Sequence, residues 1–252
     1  MINKFFERIS LPIETKVEYT EEFLSLIVTK SVENIAYENL DILENKPISL
    51  EFKDIYEKIV VNGKGGYCFE LNGLLTHIFK EMGFDSCDRF ARYLRGEKEI
   101  PMRRHRVCIV NLNGVKYMCD IGVGEVAPKK ALKLEENLVQ KLGDETYKFV
   151  KSDKHGWVLM DYYKDAWREY ICFTDDVQYD VDFIQPSFFC EMHPSSPFNK
   201  VPIIAIKTPE GRKTIDNDVY KIFENGELIY IEENISKERF AELLKTEFKL
   251  NI

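Results

Sequence analysis

The chain has 252 residues, 44% hydrophobic and 31% charged, with 35 Lys+Arg against 43 Asp+Glu and a formal net charge of −8. That is enough chain to bury a large core in one large domain or a few small ones. The acidic balance argues against nucleic acid or an anionic membrane surface as the main partner, because either needs a basic field.

The amino-terminal residues carry no apolar leader, and no apolar run approaches the roughly 18 residues of a membrane-crossing helix. The expected location is the cytoplasm. Six cysteines (Cys68, Cys87, Cys108, Cys119, Cys172 and Cys190) are thinly spread with no CxxC pair, so reduced thiols are expected rather than a disulfide framework or a metal site.

In chain order, a first helix is expected from Thr20, with Glu21 and Glu22 in its first turn and Phe23, Leu26 and Ile27 on one face. A second is expected from Ser49 as N-cap, since Phe52, Ile55, Tyr56, Ile59 and Val60 recur at helical spacing. The glycine-rich turn Gly63-Lys64-Gly65-Gly66 then delivers Tyr67 and Cys68 to a third helix. Its apolar stripe of Leu71, Leu74, Leu75, Ile78, Phe79 and Met82 stops at Gly83. Strands are predicted over 89–94, 106–112, 115–121, 146–150, 157–163 and 169–173. Beyond the Pro/Ser-rich stretch from His193 to Pro197 come strands over 203–206, 220–223 and 228–231, the last two joined across Asn225-Gly226, and a helix from Ser236. The layout is helical over 1–83, sheet over 84–190 and mixed over 191–252.

Cys68 at a helix N-terminus faces unpaired N–H groups and the positive end of the helix dipole, which favour thiolate and so make a nucleophile. Four histidines could serve as its base. His77 lies nine positions along the same helix, too far to reach the sulfur; His155 sits in a polar turn, and His193 precedes Pro194. His105 differs. Asn113-Gly114 is a type I′ turn signal that pairs Leu112 with Val115 and, counting outward, 107 with 120, so Asp120 lies diagonal to His105 on one face with Val107 and Met118. A carboxylate among apolar side chains wants a partner, and His105 is the available one. The roles are then coherent: Cys68 attacks, His105 handles the proton and Asp120 orients the imidazole. The residues alone leave peptidase, transglutaminase and acyltransferase open.

Around these residues the sequence resembles the arylamine N-acetyltransferase family. Lys64 through Asn72 resemble the family's nucleophile pattern, Arg-Gly-Gly-aromatic-Cys-Phe-Glu-x-Asn, Asp120 through Gly124 resemble its Asp-Val-Gly-Phe-Gly, and Ile35 through Asn39 echo its Pro-Phe-Glu-Asn. A later Ser/Pro stretch is echoed by His193 through Phe198. The resemblance implies an α+β fold with a papain-like Cys-His-Asp core, an N-terminal helical bundle, a central β-barrel and a C-terminal α/β lid. It also implies ping-pong acetyl transfer from acetyl-CoA, through a Cys68 thioester, to an arylamine or arylhydrazine nitrogen. An amide synthase with a larger acyl donor is the alternative within that chemistry. Val123, Tyr67 and Phe198 are the expected acceptor contacts, and Gly124 an expected coenzyme contact.

The chain departs from the family at Lys64, which stands for Arg, at Val123, which stands for Phe, at Glu125, which stands for a small residue, and at Arg103 and Arg104, which precede His105. Coenzyme A needs cations for its phosphates, and the sequence has no P-loop to bind them with backbone amides. Arg103, Arg104 and Arg106, with Lys129 and Lys130, are the local positive clusters.

Overall fold

In the computed structural model, which describes residues 1–252, Asn113 and Gly114 adopt φ of 53° and 84°. They form the expected type I′ turn, which pairs Leu112 with Val115 and carries the register on to Cys108 opposite Cys119. This hairpin of β2 (His105–Leu112) and β3 (Val115–Cys119) lies in an eight-stranded sheet with β1 (Asp85–Tyr93), β4 (Leu132–Lys133), β5 (Gln140–Leu142), β6 (Glu145–Ser152), β7 (Gly156–Tyr163) and β8 (Ala166–Phe173). The strand order is β4-β3-β2-β1-β8-β7-β6-β5. The two edges nearly meet. There the Lys133 N–H donates to Gln140 Oε1 at 2.8 Å and Gln140 Nε2 donates to the Lys133 carbonyl at 3.0 Å, so one amide side chain replaces the missing ladder rung and closes a barrel.

Both faces of the hairpin are buried. Val107, Ile109 and Met118 point into the barrel with Leu132, Phe149, Leu159 and Tyr170. The alternate residues Cys108, Val110, Tyr117 and Cys119 pack on the helices. The strand expected over 115–121 ends at Cys119, because Asp120 and Ile121 leave the ladder to bond to the neighbouring helix. Strands β4 and β5 are too short to show a period, and the segment Gly211–Asp216, also a strand, is too polar to show one.

The helical region holds α1 (Ile2–Arg8), α2 (Glu21–Asn34), α3 (Leu40–Leu43), α4 (Phe52–Tyr56) and α5 (Cys68–Glu81). Thr20 caps α2 by accepting from the Phe23 N–H. Ser49 does not cap α4: its hydroxyl donates to Asp54, the helix starts after Glu51, and the last turn widens to a π-turn over Glu57–Val61. Helix α6 (Ile184–Met192), unforeseen because Pro186 interrupts its pattern, returns to this core through Phe183 and Cys190. The boundary expected at 83/84 falls between α5 and β1, whereas that at 190/191 falls inside α6.

The C-terminal part is a four-stranded antiparallel sheet, β9 (Ile203–Lys207), β10 (Gly211–Asp216), β11 (Val219–Glu224) and β12 (Glu227–Glu232), backed by α7 (Lys237–Thr246), which Ser236 caps. A single extended residue, Tyr37, ties this sheet to the nucleophile loop, bridging Ala205 on one side and Gly66 on the other. No helix is long and apolar enough to cross a membrane.

Candidate active site

Tyr67 precedes α5 in an extended conformation, and Glu70 in the first turn reaches back to accept its N–H at 3.2 Å. This half of a capping box fixes where the helix begins, and so where Cys68 sits. Gly65 is required here: a Cβ would lie 2.3 Å from the Ala36 carbonyl oxygen. Gly122 is required for the same reason, since a Cβ there would come within 2.8 Å of the Cys68 Cα. The segment after β3 is thereby laid directly on the head of α5.

That approach brings His105 and Asp120 to Cys68. His105 Nε2 bonds to Asp120 Oδ2 at 2.7 Å, with His105 5% and Asp120 1% exposed. The other Asp120 oxygen accepts from Asn72 Nδ2 and from the Gly122 N–H, both at 2.8 Å. Asn72 also donates to the Arg106 carbonyl and accepts the Ile121 N–H at 2.9 Å. Every oxygen of the buried carboxylate is satisfied, which is what makes its burial tolerable. Asn72 went unassigned from sequence, though its place one helical turn from Cys68 put it on the same face. With Nε2 bound to Asp120, Nδ1 is the imidazole nitrogen left for the sulfur.

Burial pushes the Cys68 thiol well above its ordinary range, with the nearby Cys190 and the Asp120 carboxylate adding to the effect. The N–H groups of Arg106 and Phe69, both aimed at the sulfur, pull the other way. The helix terminus alone therefore does not make this thiol acidic.

Beneath the loop lies a buried ion cluster. Lys58 Nζ is 2.8 Å from both Asp41 and Glu70 and 3.9 Å from Glu38, and Lys64 reaches Asp41 at 3.3 Å. Exposed Lys46 also approaches Asp41, at 3.8 Å, so three carboxylates face three ammoniums, of which Lys58 is the most buried. Burial pushes Glu70 up to about 7, with Lys58 opposing and Glu38 reinforcing the shift.

Cys68 and His105 open onto a cavity of about 490 Å³ between the barrel and the C-terminal sheet. Of the expected contacts, Val123, Gly124, Phe198 and Arg104 line it, and Arg104 is 3.6 Å from Glu97. Arg103, Lys129 and Tyr67 do not. Arg103 is exposed in a separate groove beside α6, Lys129 Nζ is held by Asp144 at 3.2 Å and by the Pro209 carbonyl, and Tyr67 is fully buried with its hydroxyl on Ser187. Arg106 is not a surface cation either: it is fully buried and pairs bidentately with Asp88 at 2.9 and 2.6 Å and with Asp180 at 2.6 Å. His77 bonds to that same Asp180 at 3.0 Å, and exposed His193 bonds to Ser195.

The cavity instead presents two cations that sequence reasoning missed, Arg212 and Lys221. Arg212 lies over the Phe223 ring and its Nε donates to Glu125 at 2.9 Å. No local signal marked them, for they reach the site only when β10 and β11 fold over the loop at 122–126. All six cysteines are free, and no cluster of three His, Cys, Asp or Glu side chains is placed to hold a metal.

Residues 21–252 match the family model described as N-acetyltransferase. The chain is 28% identical over 231 residues to the arylamine N-acetyltransferase of Escherichia coli, covering 91% of this chain and 81% of that protein. It is 30% identical over 218 residues to that of Mycobacterium tuberculosis, covering 84% and 76%. Among solved structures it is similar to the Mycobacterium marinum arylamine N-acetyltransferase in complex with CoA, with a TM-score of 0.92 and 25% identity over 100% of this chain and 93% of that one.

Proposed function

The chain belongs to the N-acetyltransferase family, and we propose that it acetylates the nitrogen of arylamines or arylhydrazines by a ping-pong route through a thioester on Cys68. The observation that carries this reading is the meeting in one cavity of a cysteine at a helix head with a buried His105–Asp120 pair.

A thiol as buried as Cys68 does not ionise alone near neutral pH. Transfer of its proton to His105 Nδ1 creates thiolate and imidazolium together, and Asp120 on Nε2 offsets the imidazolium charge. The thiolate then attacks the thioester carbonyl of acetyl-CoA. The Sγ–C bond forms, the bond to the coenzyme sulfur breaks, and His105 returns the proton to the departing thiolate. In the second half, the acceptor nitrogen attacks the acetyl carbonyl, His105 takes a proton from that nitrogen, and Cys68 is released.

The coenzyme phosphates need cations beside this path. Arg212, Lys221 and Arg104 supply them from the cavity wall, and Arg212 already holds a carboxylate there, the charge type that a phosphate would replace. The similar Mycobacterium marinum structure is a complex with CoA, which supports a coenzyme A thioester as the donor. Val123 and Phe198 flank the space left for the acceptor.

Steady-state rates over a grid of acetyl-CoA and arylamine concentrations test the reading. Parallel double-reciprocal lines are expected, because the coenzyme leaves before the acceptor binds. Intersecting lines would mean direct transfer within a ternary complex and would remove the thioester from the route.

A further inference from the structure

Tyr67 lies immediately before Cys68 yet does not reach the cavity, and its hydroxyl is held from outside the catalytic segments. Ser187 Oγ, on α6, donates to Glu191 Oε1 at 2.7 Å, which leaves Ser187 to accept from the Tyr67 hydroxyl. Glu191 Oε2 in turn accepts the Ile48 N–H at 3.3 Å. The donors therefore converge on Glu191: Tyr67 donates to Ser187, Ser187 to Glu191, and the Ile48 N–H before α4 to the other Glu191 oxygen. Tyr67 and Ser187 are fully or almost fully buried, at 0% and 2% exposure.

The Tyr67 ring carries this constraint into the site. It stands edge-on to Phe69 at 5.5 Å and to Phe198 at 6.3 Å, and Phe198 is a wall of the cavity. The end of α6 grips the same wall, since Ser196 Oγ donates to the Cys190 carbonyl and accepts the Phe198 N–H. The outer face of α6 is largely exposed, with Ile184 at 56% and Phe188 at 64%. The register of α6 against the nucleophile loop thus depends on its inward contacts, of which the bond to Tyr67 is the one polar link to the residue next to Cys68.

We propose that Ser187 and Glu191 are positioning residues for the acetyl-transfer step, acting through Tyr67 to hold Cys68 and Phe198 in register. This rests on Cys68 as the nucleophile. Neither side chain lines the cavity, so the effect falls on the rate at which Cys68 is acetylated rather than on capture of the donor.

The test is single-turnover acetylation of Cys68, followed by intact mass over a range of acetyl-CoA concentrations, with melting curves to establish that each variant is folded. Ser187→Ala and Tyr67→Phe should each slow acetylation roughly tenfold, the worth of one buried hydrogen bond, with the half-saturating donor concentration within about twofold of the parent. The double variant should be no slower than either single, because both remove the same link. Glu191→Ala should slow the step comparably, and Glu191→Gln, whose amide oxygen still accepts from Ser187, should recover most of that loss. Singles that match the parent, losses that multiply in the double variant, a Glu191→Gln no faster than Glu191→Ala, or a change confined to half-saturation would each overturn the proposal. Failure of the parent itself to acquire an acetyl group would instead sink the nucleophile assignment beneath it.

Discussion

The floor and the roof of the cavity are built on different terms. The floor comes from α5, the start of β2 and the turn after β3, and its polar groups are buried and bonded to one another: Asp120 alone accepts three hydrogen bonds. The roof comes from β9 to β11, and of the cations it turns to the cavity Arg212 is partly exposed in a single pair with Glu125. A buried, fully satisfied network allows no adjustment without leaving a polar group unpaired, which suits a step that needs fixed geometry. A partly exposed pair exchanges partners at small cost, which suits binding and release of a charged donor. The floor should therefore govern rate, and the roof affinity.

The largest effect tests the floor. Asp120→Asn should keep the fold but misorient His105 and lower kcat by roughly three to four orders of magnitude, as loss of the orienting acid does in triads. Activity within tenfold of the parent would show that the floor does not set the rate.

The ion cluster under the nucleophile loop gives the next. With its pKa at about 7, Glu70 keeps its proton in the folded state up to that pH, whereas an unfolded glutamate releases it near 4.5. Between those values the folded state binds more protons, so this group's contribution to stability falls as pH rises and levels off above 7. Urea unfolding of the parent and of Glu70→Gln from pH 4.5 to 8 should differ in slope over that window, by a total on the order of 3 kcal/mol. Equal slopes would mean that Glu70 stays ionised throughout.

The roof is tested by Arg212→Ala. Loss of a charge-assisted bond to phosphate should raise KM for acetyl-CoA about tenfold or more while sparing a phosphate-free acetyl ester. Equal losses with both donors would move Arg212 from donor binding to folding. The smallest effect is at the acceptor wall, where Val123→Phe offers a ring to a planar amine. Small arylamines should gain on the order of 1 kcal/mol, about fivefold in KM, and bulky ones should lose. An unchanged profile over a graded amine series would place Val123 outside acceptor binding.

The same division decides what could be read from the sequence. Cys68, His105 and Asp120 were accessible because short-range rules reach them: a glycine turn before a helix, and a hairpin whose register follows from Asn113-Gly114. Asn72 was one helical turn from Cys68 but showed no partner until Asp120 was folded onto it. Arg212 and Lys221 lie more than 80 residues from the nearest floor segment, and nothing local distinguishes them from solvated lysines and arginines. Proximity to His105 in the sequence misled at Arg106, because a strand alternates its faces and this side chain points away from the cavity to Asp88. The barrel was legible through its longer strands, while β4 and β5 in the barrel and β10 in the C-terminal sheet emerged only from pairing with neighbours.

Between the two half-reactions the acetyl group should rest on Cys68. Intact mass of the parent after brief exposure to acetyl-CoA, without acceptor, should show one added acetyl group, mapped by peptide digestion to Cys68 and discharged on addition of an arylamine. A protein that gains no acetyl group, or carries it elsewhere, while still turning over arylamine would contradict the account.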